Sequence, residues 1–255
     1  MLFQILLIFS LLLMIPNINA FASDAIMITI SEEMEDVIFD GKWTHLAEWK
    51  QSSRDTLQYD QMTIQLRTAH QNNFVYILLD VLNDVTQNKN FDQAIICFDT
   101  NNDKSTEFDD NDFCFLSLLD NDSKTILQGN SLTNSLDEIN IHPNYIGVAT
   151  MSDENDRYSK IPHATYEFKI PTELIGRHST YGFYLSVHDD SSGKNYNWPQ
   201  SITLENSQEI PNPSMWGELI SPDKSLPEFH FMFVVVILSI FSVIIFTKIK
   251  KISYY

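Results

Sequence analysis

The run between Asp99 and Asp112 holds the densest chemistry in this sequence. Oxygen-bearing side chains alternate along it as Asp99, Asn101, Asp103, Ser105 and Glu107, with Asp110 following. That spacing copies the opening of a calcium loop, Asp-x-Asn-x-Asp, whose hard cation takes about six to eight oxygens. Position six holds Lys104 where an EF-hand needs Gly, and strand-like runs flank the loop. The pattern is therefore a candidate calcium loop of another shape. A solvated acidic turn is the competing reading.

Catalytic patterns are missing elsewhere. The seven histidines are His45, His70, His142, His163, His178, His188 and His230, and none has H-E-x-x-H spacing. The sequence contains no Gly-rich phosphate loop, G-x-S-x-G or C-x-x-C. His188 beside Asp189 is a general-base candidate, set against a structural histidine at a loop edge. The expectation is a binding protein and not an enzyme. With 34 acidic against 16 basic residues the net charge is −18, which excludes nucleic acid as a partner because phosphate binding needs a basic surface.

The elements that must position the loop are two apolar runs, Ala94–Phe98 and Phe113–Leu118, rich in β-branched and aromatic residues. They predict a long β-hairpin with Cys97 facing Cys114, Ile95 facing Leu116, Ile96 facing Phe115 and Phe98 facing Phe113. Strand side chains alternate, so Ile96, Phe98, Phe113 and Phe115 would form a core face. The two cysteines would share the other face with Ile95 and Leu116. In an exported chain they would form a disulfide; two reduced core cysteines are the alternative.

Further strands are expected at 25–30, 62–69, 74–82, 124–127, 145–151, 164–170 and 181–188, with a turn at Asn72-Asn73 and one helical turn from Pro171 ended by Gly176. Many short strands with polar turns predict an all-β fold. Its class would be an antiparallel β-sandwich of jelly-roll or immunoglobulin-like kind, followed by a C-terminal transmembrane helix.

The ends predict the topology. Residues 1–22 read as a signal peptide with Ala20-Phe21-Ala22 as the cleavage site, against an N-terminal anchor. Residues 23–220 would form the extracytoplasmic domain and 221–228 a stalk. Residues 229–247 carry no Asp, Glu, Lys or Arg and are close to the ~20 needed to span a bilayer. Lys248, Lys250 and Lys251 would hold the tail 248–255 in the cytoplasm. Leu226-Pro227-Glu228-Phe229 before this apolar run resembles archaeal PEF-type C-terminal sorting signals, although His230 replaces the usual Gly.

Several landmarks also stand in a recognisable order: Asp40-Gly41 before Glu48-Trp49, then Asp80 or Asp84, Asp92, and Glu167 before Ile170-Pro171. Gly182-Phe183, His188-Asp189-Asp190 and Trp198 close the series. Over residues 26–198 this order resembles the β-sandwich of family 9 carbohydrate-binding modules and their DOMON-type relatives. The resemblance implies a carbohydrate or cell-envelope glycan as partner, with calcium in the loops. It places the ligand-binding candidates at Trp198, Trp43, His188 and Asp190, while Trp49 matches a structural position. Haem is the alternative cofactor, with Met151, His142 and His163 available as axial ligands. A structural cell-envelope or adhesion role is a third reading.

Overall fold

The two hairpin strands pair in the predicted register. The computed structural model describes residues 25–120, 123–204 and 209–222. In it, β6 (Gln93–Asp99) and β7 (Asp112–Leu118) run antiparallel with Cys97 opposite Cys114 and Phe98 opposite Phe113. Ile96, Phe98, Phe113 and Phe115 enter the main core, and Cys97 and Cys114 form a disulfide on the other face. That second face is covered too: Tyr184, Ile202 and Trp216 bury the disulfide with Ile95.

The other strands in chain order are β1 (Ala25–Met27), β2 (Thr29–Ile30), β3 (Ser53–Gln58), β4 (Thr63–Gln71) and β5 (Phe74–Val81). After the hairpin come β8 (Lys124–Asn130), β9 (Ser135–Ile139), β10 (Ile146–Met151), β11 (Ala164–Pro171), β12 (Thr180–Asp189), β13 (Lys194–Trp198) and β14 (Gly217–Ile220). One sheet has the order β1-β14-β12-β6-β7-β8-β9, with β13 also on β12. The other is β10-β11-β5-β4-β2, with β3 also on β4. Their inner faces meet in one core that includes Ile64, Leu66, Ile77, Leu79, Tyr166 and Phe168 from one sheet and Ile96, Phe115, Phe183 and Leu185 from the other.

The expectation of purely antiparallel sheets is corrected in two places. β1 pairs with β14 and β2 with β4 in parallel, because the chain enters along the edges of both sheets in succession. The helical turn is Thr172–Ile175, closed by Gly176 at φ 69°. β3, β9, β13 and β14 are strands that the hydrophobic pattern did not announce; β3 (SRDTLQ) and β9 (SLDEI) are polar and largely half-buried or exposed. Ser221, expected at the head of the stalk, is buried and its N–H donates to the Ser179 carbonyl. Among the described residues no helix is long and apolar enough to cross a membrane. The signal peptide, the sorting motif and the span at 229–247 lie outside them.

Candidate functional site

The antiparallel pairing of β6 and β12 sets the two ends of the sandwich. Asp99 lies opposite Gly182 at one end, and Gln93 opposite His188 at the other. The acidic tip therefore sits at the end where β12 begins, and the His188-Asp189-Asp190 segment at the far end.

At the tip, the expected calcium ligands are engaged locally. The Asp99 Oδ2 accepts the Lys104 N–H, Asp103 Oδ1 accepts the Ser105 N–H, and Asp103 Oδ2 accepts the Asn101 amide. Ser105 Oγ accepts the Glu107 N–H, and the Asp110 carbonyl accepts the Gln128 amide. Lys104 Nζ turns away to Glu218 at 2.8 Å. Burial raises Asp99 above its usual range, and raises Asp112 to about 7 despite the bond from the Asp109 N–H. Among the described residues, three carboxylate or imidazole ligand atoms come within 4.8 Å of one another in two places, and neither is this tip. Asp99 Oδ1 and the neighbouring Asn102 Oδ1 are buried and meet no hydrogen-bond partner.

The first convergence is Asp84, Asp92 and Asp189, at the opposite rim. Asp84 follows β5, Asp92 precedes β6 and Asp189 ends β12, so the group bridges the two sheets. All three are buried. Burial, then the neighbouring Asp92 and Asp189, push Asp84 up to about 7. Sequence reasoning used these acids as landmarks and missed their convergence, because it could not see that β6 lies beside β12.

The second is Asp80, Asp156 and His163. His163 is fully buried, its Nε2 on Asp80 Oδ1 and its Nδ1 within 2.7 Å of the Ile161 carbonyl. Burial would lower its pKa, but the Asp80 carboxylate outweighs that and raises it. The two expected axial histidines carry hydrogen bonds of their own. Both ring nitrogens of His163 are occupied, and His142 holds Glu173 through Nε2 and the Asn144 N–H through Nδ1.

The proposed ligand aromatics are placed inside. Trp198 is 6% exposed in the main core, 5.8 Å from Phe183. Trp43 is 5% exposed on the outer face of the other sheet, beneath Arg67 and Arg157. They do not face each other, and neither offers the open ring that stacking on a sugar requires. His188 instead meets Asn195, and the Asp190 carboxylate meets Asn88.

The landmark residues Gly41, Glu48, Trp49 and Glu167 form a clamp. Glu167, fully buried in β11, accepts the Gly41 N–H at 2.7 Å and the Trp49 indole N–H at 3.0 Å. Glu48 takes the Ile38 and Thr44 N–H groups. The pair pins residues 34–50 over the sheet. Burial pushes Glu167 up to about 8.

An open cleft lies at the tip end. It is lined by His70, Asn72, Phe74, Arg177, His178 and Tyr181. Arg177 and His178 are exposed, and the Arg177 guanidinium donates to Asn73 Oδ1 at 2.6 Å. Beside these charged donors, the half-buried Phe74 ring carries the Lys169 ammonium 4.3 Å from its centroid and packs edge-on with Tyr76.

No protein-family model matches the chain, and no curated protein matches it. Solved structures do. A family 9 carbohydrate-binding module from Caldicellulosiruptor kristjanssonii in complex with glucose aligns at TM-score 0.50 and 15% identity, covering 80% of this chain and 98% of that one. The same organism's family 9 module in complex with cellotriose aligns at 0.49 and 17% identity, with the same coverage. At these identities the likeness is one of fold.

Proposed function

We propose that this chain is a non-catalytic carbohydrate-binding module, exported and held at the cell surface by the apolar segment 229–247. The observation that carries the reading is the shared sandwich fold, which spans 98% of a module solved with glucose. The landmark order over residues 26–198 supports it independently. The disulfide Cys97–Cys114 accords with an oxidising compartment.

The sugar site of this reading is the cleft at the tip end. Phe74, whose ring holds the Lys169 ammonium over one face, supplies the apolar surface for the C–H face of a pyranose ring. Arg177, Asn72 and His178 supply donors and acceptors for its hydroxyls. A site that hydrogen-bonds a hydroxyl discriminates strongly, since the analogue lacking it leaves buried polar groups unpaired. A glycan array probed with the full chain in detergent tests the reading. Binding to a defined class of glycans supports it. A folded chain that ignores every glycan and self-associates instead would favour a structural envelope role.

A further inference from the structure

The cleft at the tip end gathers positive charge in a chain whose net charge is −18. Arg177 and His178 enter it from the segment after the helical turn, and His70 from the end of β4. Lys169 in β11 places its ammonium 4.3 Å from the centroid of Phe74, whose ring lines the cleft. Among the described residues that line it there is no Asp or Glu, so an anion entering the cleft meets no like charge in its wall.

Neither Arg177 nor Lys169 has a carboxylate partner among the described residues. The Arg177 guanidinium donates through Nη2 to two neutral oxygens, the Asn72 carbonyl and Asn73 Oδ1. Those bonds aim the group and leave most of its fork of five N–H donors for a ligand. The acids nearby have partners of their own. Glu35 takes the Asn72 amide, and Glu173 meets His142 Nε2. The acidic hairpin tip shares this end of the sandwich, but Asp99 and Asp103 accept N–H groups of their own loop and Lys104 pairs with Glu218.

The cleft is also held in shape. Asn72 turns at φ 52°, and the Asn73 carbonyl accepts the Thr172 N–H, which docks the β4–β5 turn on the helical turn. The Tyr181 hydroxyl donates to the Gly176 carbonyl at 2.9 Å and accepts the His178 N–H at 3.0 Å. Arg177 lies between these two anchored residues. Two cations thus stand around residues 72–74 without a counter-charge, beside an apolar ring.

We propose that the cleft selects an acidic sugar, the carboxylate of a uronic acid pairing with Arg177 while Lys169 adds a second positive charge. The proposal rests on the reading of this cleft as a sugar site and adds the charge of the sugar. A planar guanidinium meets a carboxylate through two parallel N–H···O bonds, a match that a neutral hydroxymethyl group cannot make. The pyranose ring of the same sugar lies against Phe74.

The experiment is isothermal titration of the full chain in detergent with disaccharides of glucuronate, galacturonate and mannuronate. Each is compared with its methyl ester, which keeps the shape and loses the charge, and with the neutral hexose disaccharide. At least one acid is expected to bind about tenfold or more tighter than its ester, the usual worth of a charged hydrogen bond. Arg177→Gln should bring that acid down to the level of the ester, and Lys169→Gln should lower it in part. Lys89→Ala, exposed on the β5–β6 connection at the far rim, should leave the preference unchanged. Near-UV circular dichroism checks that each variant is folded. Neutral sugars and esters that bind as tightly as the acids would overturn this proposal and leave the sugar reading standing. A preference for acids that survives Arg177→Gln would overturn it as well. A folded chain that ignores every sugar, charged or neutral, would overturn both.

Discussion

Gly41→Ala is expected to be among the most damaging single-methyl changes in the domain. Gly41 has φ 75°, where a side chain costs about 1–2 kcal/mol. A Cβ there would also lie 2.6 Å from Thr150 Oγ1 and 3.0 Å from the Thr150 backbone nitrogen, which belongs to β10 and has little room to yield. The turn must therefore move, and moving it stretches the 2.7 Å bond from the Gly41 N–H to buried Glu167. Losing a buried bond of this kind costs about 1–3 kcal/mol. The sum is roughly 2–5 kcal/mol. At about 2–4 °C per kcal/mol for a domain of this size, melting should fall by roughly 4–20 °C. Gly193→Ala is the control: its φ is 65°, yet nothing lies within 4 Å of the added carbon. It should show the conformational cost alone. Melting curves of both variants, followed by near-UV circular dichroism, decide the matter. If the two variants melt together, the clamp at Glu167 does not hold the loop as described.

Reduction of the Cys97–Cys114 bond should destabilise the domain by about 3 kcal/mol in the chain-entropy model, since it closes a loop with a sequence separation of 17. Alkylation with and without reductant checks this, and free labelling without reductant would contradict it. Stability in chelator should fall as pH rises from about 5 to 8. Asp112 and Glu167 are held at about 7 and about 8 against ordinary values of 3.8 and 4.5, so over that window the folded chain keeps protons that the unfolded chain has released. Melting curves at pH 5 and pH 8 test the sign, and a rise toward pH 8 would refute it. Phe74→Ala should weaken sugar binding by about 1–3 kcal/mol, the usual worth of one good ring contact with its burial. Affinity titration checks it, and an unchanged affinity would move the site elsewhere.

The hairpin was legible in the sequence because its information is local. Alternation and two cysteines determine the register of Cys97 on Cys114, and no distant residue is needed. The buried strand at 74–81 was legible for the same reason, as a continuous apolar run. β3 and β9 were not, because exposed strands carry polar residues and their pairing is decided by their neighbours. The placement of Trp198 and Trp43 was not legible because a residue's type does not say which face of which sheet it occupies; Trp198 fills the core and Trp43 lies under two arginines. The rim acids were visible as Asp84, Asp92 and Asp189, spread over about 100 positions. Only the crossover that sets β6 beside β12 brings them together. At the hairpin tip the alternating oxygens of Asp99, Asp103 and Ser105 accept the loop's own backbone N–H groups, a local pairing that the spacing alone does not announce.

The central claim is that the cleft of Phe74 and Arg177 holds a sugar. Isothermal titration of the purified chain with the best ligand from the array, using wild type and Arg177→Ala, tests it most directly. Arg177 is exposed and its loss should leave the fold intact. The account predicts saturable binding by wild type and an affinity at least about tenfold weaker for the variant, the worth of one hydrogen bond from a charged donor. Equal affinities in two equally folded proteins would contradict it.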